Sequence, residues 1–221
     1  MEKLNYLRYI QFFSILLLIY VMIGGFLFDV PSLPILNEAI RVLYFHVPMW
    51  FTMIFILFIS CINAFYFISN GKVIYDIKSY TYTSVGVFFG FLGILSGMIW
   101  AKFTWGTFWT NDPKLNGSAI TLLIYFSYFL LRSSIRDEIK RAKISSVYNI
   151  FAFAMLIPLI FILPRMTDSL HPGNGGNPGF NVYDMNSQLR IVFYPAVFGF
   201  VFLGLWISNL RLRINILTRD F

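Results

Sequence analysis

Six long stretches without a charged side chain divide this 221-residue sequence. They contain 20, 30, 23, 17, 21 and 20 residues (9–28, 42–71, 79–101, 115–131, 144–164 and 191–210). An α-helix needs about 20 mostly apolar residues to cross the hydrocarbon core of a bilayer, within a range of roughly 17–25. Backbone groups in that core must be paired internally, so a continuously apolar run crosses it as a helix. The pattern therefore predicts an all-α polytopic membrane protein.

We expect one transmembrane domain over residues 1–221, with spans near 9–28, 49–69, 80–100, 116–132, 146–164 and 191–209. The second run is longer than a span needs, so its start, 42–48, is expected at the interface. A composition of 58% hydrophobic and 12% charged residues excludes an ordinary soluble domain, which has about 45–50% and 25%. The single cysteine, Cys61, excludes a disulfide scaffold.

The basic residues are distributed unequally between the two sides of the membrane. Six spans place both termini on one side, and twelve of the 17 lysines and arginines fall there, against five on the other side. This bias predicts cytoplasmic termini. The connection 132–143 is interpreted as a solvated loop whose charges set the topology.

The outer side carries an unusual aromatic stretch, WAKFTWGTFWTNDPKL, over residues 100–115. If 103–112 forms a short helix, Trp105, Phe108, Trp109 and Asp112 share one face. Such a helix is typical of an interfacial aromatic belt. The alternative is a flat platform for a planar ligand.

Both histidines of the chain, His46 and His171, are predicted on this same outer side. A lone histidine near a membrane surface is more often a hydrogen-bonded residue than a ligand. Two at similar depth, flanking the tryptophan stretch, indicate axial ligands for one haem, because neutral imidazole binds haem iron well. The outer cations that would pair with haem propionates are Lys114 first, then Arg190, Arg165 and Arg41.

Other chemistry has little support in the sequence. No Ser/His/Asp arrangement or paired carboxylates are apparent, so no catalytic activity is expected. The segment 171–180, HPGNGGNPGF, lacks the GK[ST] ending of a phosphate loop. It is interpreted as a flexible outer loop that serves as a lid or a partner contact.

The stretch from Trp105 to Leu115 resembles the tryptophan-rich signature WGxxWxWDx[RK]L of haem-handling proteins. The run 44–48, YFHVP, resembles the histidine motif of the same proteins. With six spans and this length, nearly the whole chain is similar to the CcmC family of the cytochrome c maturation system. The matching signature positions are Trp105, Gly106, Trp109, Asp112, Lys114 and Leu115, and the matching axial ligands are His46 and His171.

This resemblance implies a function, partners and a location. Such a protein binds haem b transiently at the periplasmic face of the bacterial inner membrane. It presents the haem to a chaperone of the CcmE type, with a small CcmD subunit and the CcmAB ABC transporter as further partners. Trp105 and Trp109 are expected to carry the apolar contact to haem.

Two positions depart from the signature. Asn111 stands in place of its third tryptophan, and Asn116 replaces the usual hydroxyl residue. Phe108 or Trp100 is the aromatic expected to compensate for the missing tryptophan.

Three other classes of protein remain as alternatives. A small-solute transporter predicts ionisable residues inside the spans, and the six runs contain none. A bis-histidine cytochrome predicts haem that is bound permanently. A structural subunit, anchored by its tryptophans, predicts no haem at all.

Overall fold

The chain forms a bundle of long helices. A computed structural model describes residues 2–31, 36–171 and 185–218. The elements are α1 (Glu2–Leu27), a 3-10 helix (Asn37–Val42), α2 (Leu43–Asn70), α3 (Val73–Trp105), α4 (Pro113–Ser134), α5 (Glu138–Ile157), a π-helical turn (Pro158–Ile162), α6 (Leu163–Met166) and α7 (Ser187–Leu217). No strand occurs in these described parts, and six helical segments are long and apolar enough to cross a membrane. The prediction of an all-α, six-span membrane protein is confirmed.

The helices α2 and α3 are central to the bundle. The helix α2 packs against α3, α5 and α7, while α1 lies against α7. One apolar core joins α2, α3, α4 and α5 around Met53, Leu57 and Leu122. Large apolar side chains on the outer faces, such as Phe12 and Leu130, are exposed, as expected of surfaces that contact lipid.

Glycines on α3 allow the close approach of α2. A Cβ atom at Gly86 would lie 2.8 Å from Leu57, and one at Gly93 would lie 2.9 Å from Trp50. Contacts below 3.0 Å are essentially never made by real Cβ atoms, so larger residues would push the two helices apart. In lipid such close packing replaces the hydrophobic effect as the main source of helix association.

The expectation of a short helix over 103–112 is wrong. The helix α3 continues to Trp105 and ends at Gly106, whose φ of +83° is the left-handed conformation that stops a helix. Residues 106–112 are non-helical, and Asp112 then caps α4, whose first residue is Pro113. A glycine just after one helix and an Asp-Pro pair opening the next are the ordinary signals of two separate helices.

The interpretation of 132–143 as a wholly solvated connection is also wrong at its first residue. Arg132 is buried at the end of α4, and its Nη1 and Nη2 atoms each donate to an oxygen of buried Asp76 at 2.7 Å. Its guanidinium also lies over the ring of Tyr80, 4.8 Å from the centroid. Asp76 precedes Arg132 by 56 residues, so this pair joins the beginning of α3 to the end of α4.

A π-helical turn interrupts the last span before α7. At its end the N–H of Leu163 donates to the carbonyl of Pro158, five residues earlier. Gly117 of α4 faces the turn, where a Cβ atom would collide with the carbonyl oxygen of Leu159. The turn therefore lies directly against the α4 backbone.

The predicted flexible loop around 173–179 falls on 172–184, outside the described residues.

Candidate functional site

A cavity of about 260 Å³ opens at the end of the bundle opposite Leu217, which we call the distal end. It is lined by residues of α2, α3, α4 and the segment around α6, and both histidines of the chain are among them. The lining is largely apolar, with Trp50, Trp100 and Leu115 in the walls and with Lys114 and Arg165 as its cations. Sites for organic cofactors have this composition, an apolar surface with a few polar groups that set orientation.

His46 is held in place by Ser96 and Gly97, two adjacent residues of α3. Its Nδ1 atom lies 3.0 Å from the hydroxyl oxygen of Ser96, and that hydroxyl is 2.9 Å from the carbonyl oxygens of both Leu92 and Gly93. Because the hydroxyl has one hydrogen and donates it to these carbonyls, it accepts from His46. Nδ1 therefore carries the proton, and Nε2 is left with a lone pair.

Gly97 provides the space for that imidazole. A Cβ atom at this position would lie 2.7 Å from Cε1 of His46. The position of His46 thus depends on a hydroxyl and a missing side chain on the facing helix, in addition to its own place in the first turn of α2.

His171 lies outside the helices and is held by a carboxylate. Its Nδ1 atom lies 2.9 Å from Oδ1 of Asp112, whose side chain is fully buried. A carboxylate only accepts hydrogen bonds, so Nδ1 again carries a proton, and in the neutral imidazole Nε2 then has the lone pair. Both imidazoles are thus in the tautomer that coordinates a metal through Nε2, each with a partner that fixes its ring.

Asp112 connects α4 to the segment that carries His171. Its Oδ1 atom accepts from the backbone N–H of Lys114, and its Oδ2 atom accepts from the Ser169 hydroxyl at 2.8 Å and the Leu170 N–H at 2.7 Å. Burial opposes ionisation of Asp112, but hydrogen bonds from His171, Leu170 and Ser169 outweigh it and hold its pKa below the usual range. The group that orients His171 is therefore an anion.

Tryptophans pack around His171. The ring of Trp105 meets the imidazole edge-on with centroids 4.9 Å apart, and Trp100 lies 5.7 Å from the same ring. Trp100 and Trp105 also contact each other at 5.0 Å. The aromatic residues here thus fix the orientation of a histidine as well as forming a wall.

The four candidate cations differ in position. Lys114 and Arg165 line the cavity. Arg41 instead forms an ion pair with Glu38 and donates to the carbonyls of Gly25 and Phe28 at the end of α1. Arg190 donates from Nε to the carbonyl of Met185.

The two residues that depart from the signature contact each other. The Asn116 amide donates to the Asn111 side-chain oxygen at 2.7 Å. This bond ties the 106–112 segment to the first turn of α4. Of the two aromatics expected to compensate, Trp100 lines the cavity and Phe108 is exposed beside Lys102.

The structure brings together only part of the predicted site. His46, His171, Lys114 and Leu115 line the cavity, and Asp112 and Trp105 contact His171 from behind it. Gly106 ends α3, and Trp109 is 39% exposed and outside the lining. Sequence reasoning missed Ser96 and Gly97, although the spacing of Gly86, Gly90, Gly93 and Gly97 at every third or fourth residue marks the α3 face that receives α2.

Comparison with known proteins identifies the family. Residues 3–221 match the family described as CcmC, heme exporter protein C. The heme exporter protein C of Haemophilus influenzae is 26% identical over 136 residues, 62% of this chain and 54% of that protein. That of Bradyrhizobium diazoefficiens is 22% identical over 176 residues, 79% of this chain and 66% of that protein. That of Escherichia coli K12 is 23% identical over 184 residues, 83% of this chain and 73% of that protein.

The chain therefore spans 54% and 66% of the length of the first two relatives. The family match, in contrast, extends over almost the whole length of this chain. On this match the chain belongs to the heme exporter protein C family.

Proposed function

We propose that this protein binds haem at the distal end, with His46 and His171 as axial ligands, and transfers it to a chaperone during cytochrome c maturation. The observation that carries the proposal is that the two histidines of the chain line one cavity, each with Nδ1 engaged and Nε2 left as the available nitrogen. Membership of the family supports a part in haem handling.

The residues of the cavity suit haem chemically. Two neutral imidazoles supply the axial ligands, Trp50 and Trp100 supply apolar surface, and Lys114 and Arg165 supply charge for the propionates. Trp109, exposed nearby on the chain, is available to the part of the macrocycle outside the cavity. Asp112 and Ser96 act on iron only through the imidazoles that they orient.

The size of the cavity supports transient binding. Its volume of about 260 Å³ is below the roughly 300–1,000 Å³ that encloses a drug-sized ligand. A macrocycle held there keeps an edge outside, where a chaperone of the CcmE type reaches it. The CcmD subunit and the CcmAB transporter are the further partners we propose, at the periplasmic face of the inner membrane.

The first experiment is the visible absorption spectrum of the protein purified from haem-replete cells in mild detergent. We expect the spectrum of low-spin bis-histidine haem, altered in both His46→Ala and His171→Ala and restored in part by added imidazole. Cys61→Ser, a buried substitution away from the cavity, is the matched control and keeps the spectrum. Haem-free protein that takes up no added haem would contradict the proposal.

Transfer distinguishes a haem carrier from an electron-transfer cytochrome. Incubation with the haem-free chaperone should move haem from this protein to the chaperone. Haem that stays bound and only cycles between redox states would identify a cytochrome instead.

A further inference from the structure

A second large opening lies at the other end of the bundle, which we call the basic groove. Its volume is about 860 Å³, and residues of α3, α4, α5 and α7 line it. Three arginines lie in its walls, Arg132 of α4, Arg141 of α5 and Arg211 of α7. This end of the bundle is predicted to be cytoplasmic, and neither histidine is among the lining residues of the groove.

Two of the three guanidiniums already have carboxylate partners. Buried Asp76 neutralises Arg132 through two hydrogen bonds. Arg141 donates from Nη2 to Glu138 at 3.1 Å, and the Glu138 side chain is 73% exposed, so this is a weak surface pair. Arg211 has no hydrogen bond or ion pair within the parts of the chain that the structure describes. Within the described residues, the groove thus has one unpaired guanidinium, that of Arg211, and one held only by a weak surface pair, that of Arg141.

The polar lining of α7 faces the same opening. Arg211, Asn215 and Thr218 recur at i, i+4 and i+7 and so lie on one face of the helix. The Asn215 amide donates to Thr81 of α3, and its side-chain oxygen has no donor among the described bonds. This contact joins the end of α7, which carries Arg211, to α3.

The lining also has an apolar part. Ile77, Phe129 and Leu130 form it, and Leu130 is 73% exposed on α4, as expected of a surface that contacts lipid. A ligand that fits must therefore present an anionic group to Arg141 and Arg211 and hydrocarbon to Leu130.

We propose that the basic groove binds an anionic phospholipid of the leaflet on the side of the chain termini, with its phosphate between Arg141 and Arg211. Arginine forks match phosphate oxygens, and basic pockets between membrane helices on the cytoplasmic side are a recurrent site for anionic headgroups. A free phosphate ion would use the same guanidiniums but would leave the apolar part of the lining uncovered. The lipid site is separate from the proposed haem site.

Lipid retention by the whole detergent-solubilised protein tests this. Native mass spectrometry compares the binding of added phosphatidylglycerol and phosphatidylcholine. We expect a preference for phosphatidylglycerol that weakens about thirtyfold in Arg141→Gln/Arg211→Gln, since each arginine near an anionic headgroup contributes on the order of fivefold. His171→Ala, which tests the haem proposal, should bind phosphatidylglycerol normally.

The matched control is Arg136→Gln/Arg213→Gln. It removes two positive charges from the same end of the chain at exposed positions outside the groove lining. An equal loss of phosphatidylglycerol in both double variants would overturn the site, because general surface charge would then explain the preference. Displacement of the lipid by inorganic phosphate at equal concentration would also overturn it. Circular dichroism verifies that both double variants keep the helical fold.

Discussion

Two aspartates are buried to the same extent at opposite ends of this bundle, and their surroundings differ. Asp76 and Asp112 are each 3% exposed. Asp76 pairs with Arg132, which cancels its charge within the protein. Asp112 has no ion pair with an arginine or lysine among the described residues and is stabilised by backbone N–H groups, a serine hydroxyl and an imidazole.

The difference indicates what each carboxylate does. The ion pair of Asp76 with Arg132 joins α3 to α4, and it leaves no net charge to attract a ligand. The Asp112 charge is held by hydrogen bonds and, among the described residues, it acts on the imidazole of His171, which it contacts. An anionic partner orients a metal-binding imidazole and increases its basicity. We infer that Asp76 stabilises the fold and Asp112 serves the site.

Of these substitutions, Arg132→Gln should lower the free energy of unfolding the most, and it should not change haem binding. It leaves the Asp76 charge buried without its partner, which typically costs about 3–5 kcal/mol. Reversible unfolding in mixed detergent micelles measures this loss, and the haem spectrum per folded molecule should not change. Arg136→Gln, at an exposed position four residues later, is the control with an expected change below about 0.5 kcal/mol. Equal stability of the two variants would remove the contrast between the aspartates.

Asp112→Asn should act mainly on haem affinity and less on stability than Arg132→Gln does. Asparagine still caps α4, but it has one acceptor oxygen where the carboxylate has two, so the free energy of unfolding falls by about 1–3 kcal/mol. Loss of the anion beside His171 should weaken haem binding about 10–100-fold, measured by titration of the haem absorption band. Asp137→Asn changes another helix-capping aspartate, at the start of α5, and should leave haem affinity unaltered. Unchanged affinity in Asp112→Asn would refute the orienting role.

Gly97→Ala tests the space beside His46. The added methyl group would collide with the imidazole, and overpacking of this kind costs roughly 1–3 kcal/mol, partly offset by the roughly 1 kcal/mol that alanine gains in helix propensity. We expect a net loss of about 1 kcal/mol in the free energy of unfolding and, because the imidazole must move, an altered ligand-field spectrum. Gly25→Ala in α1, where the nearest atoms would be at an ordinary 3.4 Å, is the control. A normal spectrum in Gly97→Ala would show that His46 is not held by this contact.

Ser96→Ala should give the smallest effect. It removes the acceptor for the His46 Nδ1–H, a neutral hydrogen bond that contributes about 0.5–1.5 kcal/mol. Haem affinity should therefore fall less than in Asp112→Asn, since a hydroxyl orients an imidazole without adding charge. Ser127→Ala removes an equivalent helix-bound hydroxyl on the exposed side of α4 and is the control. A larger loss of haem affinity from Ser96→Ala than from Asp112→Asn would show that Ser96 contributes more to haem binding than Asp112.

The sequence predicts an all-α chain with six long apolar helices correctly, because the bilayer allows few alternatives to a helix in a charge-free run. The aromatic periodicity of 103–112 does not produce a helix there, because Gly106 ends α3 and the Asp112-Pro113 pair begins α4. Local backbone chemistry decided the structure there, against side-chain periodicity.

Contacts between distant residues are the part that the sequence does not contain. Arg132 and Asp76 are separated by 56 residues, and the sequence pattern gives no sign that they form a pair. His46 and His171 were paired by their type and side of the membrane, but Ser96 and Gly97 are recognisable only once α3 lies against α2.

The π-helical turn at 158–162 sets the rotation of the residues that follow it, which include part of the cavity lining. It corresponds to one residue more than an α-helix would use, and Pro164 and Arg165, which line the cavity, follow it directly. Tightening this turn to regular α-helix, with no change of sequence, would rotate everything after it around the helix axis, because an α-helix turns by about 100° per residue and the wider π-helical turn by less. A change that alters no chemical group would thus carry Arg165 away from the cavity, so the spacing of this segment is as specific as its composition.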